Sequence, residues 1–176
     1  MENVKKVLFV AIGLLLLLTV TACSEGTPNE ISVQNIKEMV HEYSVGSFGD
    51  VSASITSDEL IVTSNNGRKI VYDLPKDEFF VSIAPFVKTT HPCAIHSLTG
   101  CQGELVDKDF EVYIQDQEGN VLVDDTIASF ANGFIDFWLP RNKTYHVKLQ
   151  YDGKTAESEI STYKDDNTCI TTMRLL

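Results

Sequence analysis

Residues 132–160 read NGFIDFWLPRNKTYHVKLQYDGKTAESEI. Asn132-Gly133 is a turn signal, Phe134 to Leu139 is a short apolar run, and Pro140 stops it. Tyr145, Val147, Leu149 and Tyr151 then alternate with polar residues, the period of a half-buried strand. Asp152-Gly153 turns the chain back into Ala156 to Ile160. Three strands joined by tight turns are therefore expected here.

The same grammar extends in both directions. Upstream, Phe79 to Val87 reads as a strand, Phe110, Val112 and Ile114 alternate, and Glu118-Gly119-Asn120 turns into Val121 to Ile127. Downstream, Thr168 to Leu175 reads as a final strand. Strands at intervals of about 8–12 residues with turn signals between them indicate a mainly β fold, a β-sandwich over residues 78–176. Residues 31–77 differ. Ile31, Ile36, Met39, Val40 and Tyr43 mark one amphipathic helix with Ser32 as its N-cap, broken by Gly46 and Gly49. A meander from Val51 to Asp73 follows, turning at Asn65-Asn66-Gly67. This small α+β module is too short to stand alone and should pack on the sandwich or on a second copy of itself.

The N-terminus carries an address. Lys5 and Lys6 precede an apolar run from Val7 to Leu18, 12 residues long, whereas a membrane span needs roughly 20. Val20-Thr21-Ala22-Cys23 resembles a bacterial lipobox. Residues 1–22 are thus expected to be a lipoprotein signal peptide, with Cys23 lipidated and residues 23–30 a tether. That predicts an exported chain, lipid-anchored on the extracytoplasmic face of a bacterial membrane. Loss of two lysines and one glutamate with the signal takes the net charge from −11 to −12. Such an acidic surface repels nucleic acid and anionic headgroups, so the lipid alone provides membrane attachment.

With Cys23 assigned to the lipid, Cys93, Cys101 and Cys169 remain, an odd number for an exported domain. The informative stretch is HPCAIHSLTGCQG, 91–103. It gathers two thiols, Cys93 and Cys101, and two imidazoles, His91 and His96, while Pro92, Gly100 and Gly103 shape the loop. If the last strand runs beside this loop, Cys169 joins them. Thiolates are soft donors that favour Cu(I), and three of them suit a trigonal Cu(I) site. Imidazole accepts Cu(II) as well, and a pair of thiols could reduce it. A Cys93–Cys101 disulfide with no metal role stays open, as does a Cys₃His zinc site using His91 or His96. His41 and His146 read as surface residues, and Met39 and Met173 are too isolated for a methionine-rich site. Asp124-Asp125 and Asp165-Asp166 read as solvated turn charges. There is no nucleophile elbow, phosphate loop or HExxH motif.

Three segments carry a family resemblance: HPCAIHSLTGCQGEL (91–105), NGFIDFWLPRNKTYHVKLQYDGKTAESE (132–159) and DDNTCITTMRLL (165–176). With these the chain resembles the CueP family, copper-binding proteins of the bacterial envelope. The resemblance implies that Cys93, Cys101 and Cys169 all occupy the family's cysteine positions. It further implies copper tolerance, reduction of Cu(II) to Cu(I), and copper supply to an exported superoxide dismutase. A β-sandwich with an N-terminal module supporting a homodimer is implied too, and a thiol–disulfide reductase would be a partner for a reducing cycle. The lipobox departs from a family member free in the periplasm. A tether restricts meetings with a soluble client and favours sequestration at the membrane surface.

Overall fold

A computed structural model describes residues 32–176. The expected signal peptide, the lipidation site Cys23 and the whole of the tether lie outside the described residues. Ser32 caps the single helix among them, α1 (Val33–Val45), by accepting a hydrogen bond from the Asn35 N–H. Ile36, Val40 and Ser44 form the buried stripe of α1. The helix ends at Gly46, whose N–H reaches Glu42 O.

Eleven strands follow: β1 (Val51–Ile55), β2 (Glu59–Ser64), β3 (Lys69–Asp73), β4 (Glu78–Ile83), β5 (His96–Ser97), β6 (Asp109–Asp116), β7 (Val121–Ala128), β8 (Ile135–Pro140), β9 (Thr144–Tyr151), β10 (Lys154–Ser161) and β11 (Cys169–Ile170). They form three sheets, ordered β3-β2-β1-β5, β10-β9-β6-β7 and β11-β4-β8. The fold is mainly β, as the alternation predicts, and the described residues 32–176 fall in one compact unit.

Period-two alternation sorts the apolar residues between two cores. Phe79, Val81 and Ile83 of β4, with Ile135, Phe137 and Leu139 of β8, face Phe110, Val112, Ile114, Tyr145, Val147 and Leu149 of the four-stranded sheet. This is the sandwich core. Each fully covered Phe or Leu contributes about 1.5–3 kcal/mol of apolar burial. The intervening residues point the other way. Phe80 and Trp138 join Ile36, Val40, Ala53, Ile55, Leu60 and Leu98 in a second cluster under α1. The N-terminal helix and strands thus complete their core on the back of the three-stranded sheet. Strand β4 is covered on both faces, which is why it reads as the unbroken run EFFVSI.

The C-terminal segment departs from the expected strand. In place of one strand from Thr168 to Leu175, Cys169–Ile170 pairs in parallel with Ser82–Ile83, and a separate bridge joins Phe86 to Arg174. Strand β4 likewise ends at Ile83 rather than Val87. No helix among the described residues is long and apolar enough to cross a membrane.

Candidate metal centre

The face of the β11-β4-β8 sheet turned away from the sandwich core carries the site. Cys169 projects from β11, Ala84 follows β4 and Phe134 precedes β8; the three form a small buried cluster against which Cys93 and Cys101 pack. The loop that brings those two cysteines is fixed at several points. Strand β5 pairs with β1, Ser54 with Ser97 and Ile55 with His96, so the Cys/His loop becomes the fourth strand of the N-terminal sheet. Thr168 Oγ1 accepts from the His96 N–H at 3.0 Å and donates to Ile55 O at 2.6 Å. Ala94 O accepts from the backbone N–H groups of both Thr168 and Cys169. The loop therefore lies directly against β11, the condition for Cys169 to join it.

Two glycines set the far end. The Gly103 N–H donates to Asn132 O at 2.7 Å, and a Cβ on Gly103 would lie 2.5 Å from Gly133 O. Gly133 itself has φ +78°, the left-handed region that glycine adopts freely. This backbone contact seats the loop on the turn that presents Phe134. Glu104 Oε2 accepts from the N–H groups of Val87, Lys88 and Thr89, closing the loop's entry onto its exit. Those donors hold its carboxyl below the usual range.

Cys93 Sγ and Cys101 Sγ are 3.7 Å apart, and all three cysteines are free thiols. His96 Nδ1 lies 3.4 Å from Cys169 Sγ. The donors fall into two sets, each with its ligand atoms within 4.8 Å of one another: His91, Cys93 and Cys101, and His96, Cys101 and Cys169. Either set could hold a metal ion. All five residues singled out in the sequence are thus brought together, with Cys101 as the shared member. His41 and His146 are exposed and outside both sets, as expected.

The electrostatics follow from the sulfurs' mutual contacts. A hydrogen bond from Cys169 holds the Cys101 thiol well below its ordinary value, with His96, the Ser97 backbone and His91 adding to it. The same contact, with burial, pushes Cys169 up. Burial raises Cys93. One thiolate, on Cys101, is thereby stabilised at the centre, and a thiolate is the form that binds metal or reacts.

The two histidines are not equivalent. His91 is partly exposed, whereas His96 is wholly buried, its ring centroid 4.6 Å from that of Phe134 and 6.2 Å from that of Phe80. His96 Nε2 is buried without a hydrogen-bond partner. Asp136, part-buried on β8, accepts hydrogen bonds from Ser44 Oγ at 2.6 Å and Ser82 Oγ at 2.5 Å. Sequence reasoning passed over Thr168, Asp136, Phe134 and Glu104. The one signal was Asp136, a charge inside the apolar run Phe134 to Leu139.

Residues 33–174 match the family described as periplasmic copper-binding protein CueP. Among solved structures, the crystal structure of S.CueP is similar at 40% sequence identity and a TM-score of 0.75, covering 80% of this chain and 89% of that one. No curated protein matches the chain. The match runs from α1 through β11 and so takes in the whole Cys/His cluster: this chain belongs to the CueP family of periplasmic copper-binding proteins.

Proposed function

We propose that this chain captures copper with Cys93, Cys101 and Cys169 and reduces Cu(II) to Cu(I), for copper tolerance or for supply to an exported cuproenzyme. The observation that carries this reading is the position of Cys101, a stabilised thiolate within reach of Cys93 on one side and of Cys169 and His96 on the other. Cu(I) needs only two or three soft ligands, and each donor set supplies three. A structural zinc ion needs four in a tetrahedron. A purely structural Cys93–Cys101 disulfide would remove the thiolate that both sets share.

Reduction balances within the site. The Cys93 thiol and the Cys101 thiolate become one disulfide and release one proton and two electrons, which convert two Cu(II) to two Cu(I). The 3.7 Å between Cys93 and Cys101 sulfurs need only close to about 2.05 Å for that bond. Turnover then requires a thiol–disulfide reductase to restore the thiols. Lipid on Cys23 would hold the unit at the membrane surface, the N-terminal module would support a homodimer, and an exported superoxide dismutase is a client the resemblance implies.

An anaerobic Cu(I) competition titration of the reduced chain against a chromophoric chelator tests the core of this reading. Tight binding that collapses in Cys101→Ser is expected. Binding no stronger than that of the acidic surface, unchanged by Cys101→Ser, would overturn it.

A further inference from the structure

The donors around Cys101 differ in depth. His91, Cys93 and Cys101 are all partly exposed, while His96 and Cys169 are 0% and 1% exposed. Cys101 is the single residue common to both sets. Phe134, fully buried, stands beside both imidazoles, its ring centroid 6.4 Å from that of His91 and 4.6 Å from that of His96. The inner set has unmet polar capacity. His96 Nδ1 faces the Cys169 sulfur at 3.4 Å, and Nε2 is buried with no hydrogen-bond partner. A buried imidazole with so little satisfied is costly unless something else occupies its nitrogens.

Resting on the copper reading above, we infer that the loop is a two-stage passage for one Cu(I) ion, an entrance made by His91, Cys93 and Cys101 and a closed seat made by His96, Cys101 and Cys169. The ion passes between them on the Cys101 sulfur. Its bond to Cys101 persists while bonds to His91 and Cys93 break and bonds to Cys169 and His96 form. Copper stays Cu(I) throughout and no electrons move. The thiol proton that Cys169 loses on taking the metal is balanced by one that Cys93 regains on releasing it. Because at least one sulfur always holds the ion, no intermediate is a free aqueous cation.

The two stages predict different kinetic signatures. A residue of the entrance alone, such as His91, acts on capture and release alike and leaves the equilibrium untouched. A seat residue acts on retention. The full reduced chain in detergent is mixed with Cu(I) anaerobically. Stopped-flow gives capture, challenge with excess chelator gives release, and competition gives Kd. His91→Ala should slow capture and release together by about tenfold with Kd unchanged. His96→Gln should leave capture unchanged and speed release by about 10–100-fold, with Kd weakened to match. Cys169→Ser should repeat the His96→Gln pattern and covers the case in which the histidine variant does not fold. If His91→Ala weakens Kd as much as His96→Gln, there is one mixed site and the passage is wrong. Wild-type rates and Kd in both histidine variants would show that the thiolates act alone, which also overturns it. A wild-type chain that binds no Cu(I) would overturn the copper reading itself.

Discussion

His96 Nδ1 and Cys169 Sγ face each other at 3.4 Å across 73 residues of sequence, both sealed from solvent. One comes from a two-residue strand on the edge of the N-terminal sheet, the other from a two-residue strand on the edge of the sandwich. The candidate metal centre is the place where the two sheets' edges meet, so the positions of its donors and the stability of that junction are coupled.

Thiol reactivity should follow the unequal pKa values. Cys101 is held down by the hydrogen bond from Cys169, so it keeps thiolate character as the pH falls. Cys93 is raised by burial, and Cys169 by its contact with Cys101 and by burial. Alkylation of the metal-free reduced chain at about pH 6, below the ordinary thiol range, should label Cys101 first and leave Cys169 unmodified until the chain unfolds. Peptide mapping by mass spectrometry reads the order. Equal labelling of Cys93 and Cys101 would contradict it.

Thr168 is the pin of the junction. Thr168→Val preserves shape but leaves the His96 N–H and Ile55 O without their partner. A buried group left unsatisfied costs about 1–3 kcal/mol. We expect a loss of about 2–4 kcal/mol in denaturant unfolding, the two losses partly overlapping, with weakened Cu(I) retention as the loop lifts from β11. An unchanged midpoint would show that water or a neighbour replaces the hydroxyl.

Gly103→Ala places a methyl 2.5 Å from the Gly133 carbonyl oxygen, a backbone atom that cannot swing aside. Overpacking of this kind costs about 1–3 kcal/mol, and the strain falls on the loop carrying Cys101. Both Tm and the capture of Cu(I) should drop. Gly49→Ala, where a Cβ meets nothing within 4 Å, is the matched control.

Asp136 should leave a mark on the pH dependence of stability. Burial raises its folded pKa above the unfolded value of about 3.9. Between the two values the folded chain binds more protons than the unfolded one, so this group's contribution is present below about pH 4 and is lost as pH rises through the folded pKa. Asp136→Asn, which stays neutral, should therefore gain on the wild type as pH rises from 4 to 7. Parallel urea titrations across that range measure the difference. A constant gap would mean that the carboxylate ionises without penalty.

Much of this fold is legible as local pattern. The alternation of Tyr145, Val147 and Leu149 fixes β9, the Asp152-Gly153 turn fixes its partner, and the observed register pairs Leu149 with Ala156 and Tyr145 with Ile160. Ser32 announces the helix start. The junction is not legible in this way. Two-residue strands carry no periodicity, and the parallel pairing of Cys169 with Ser82 is a long-range choice with no turn to signal it. For the site, the residue types were enough to gather five donors. Their depths were not, because His91 and His96 occupy similar contexts in HPCAIH, and only the β5 pairing buries one and leaves the other partly exposed.

Strand β11 is the last of the strands to leave the ribosome, yet it docks in parallel beside β4, whose sequence was made far earlier. Such a pairing closes a long loop and forms late. A chain in which this pairing has not yet formed carries the outer donor set, His91, Cys93 and Cys101, without Cys169 and so without the inner one. On the copper reading proposed above, the inner seat is thus the last part of the passage to be built, and a chain truncated before Cys169 would keep the entrance and lose the seat.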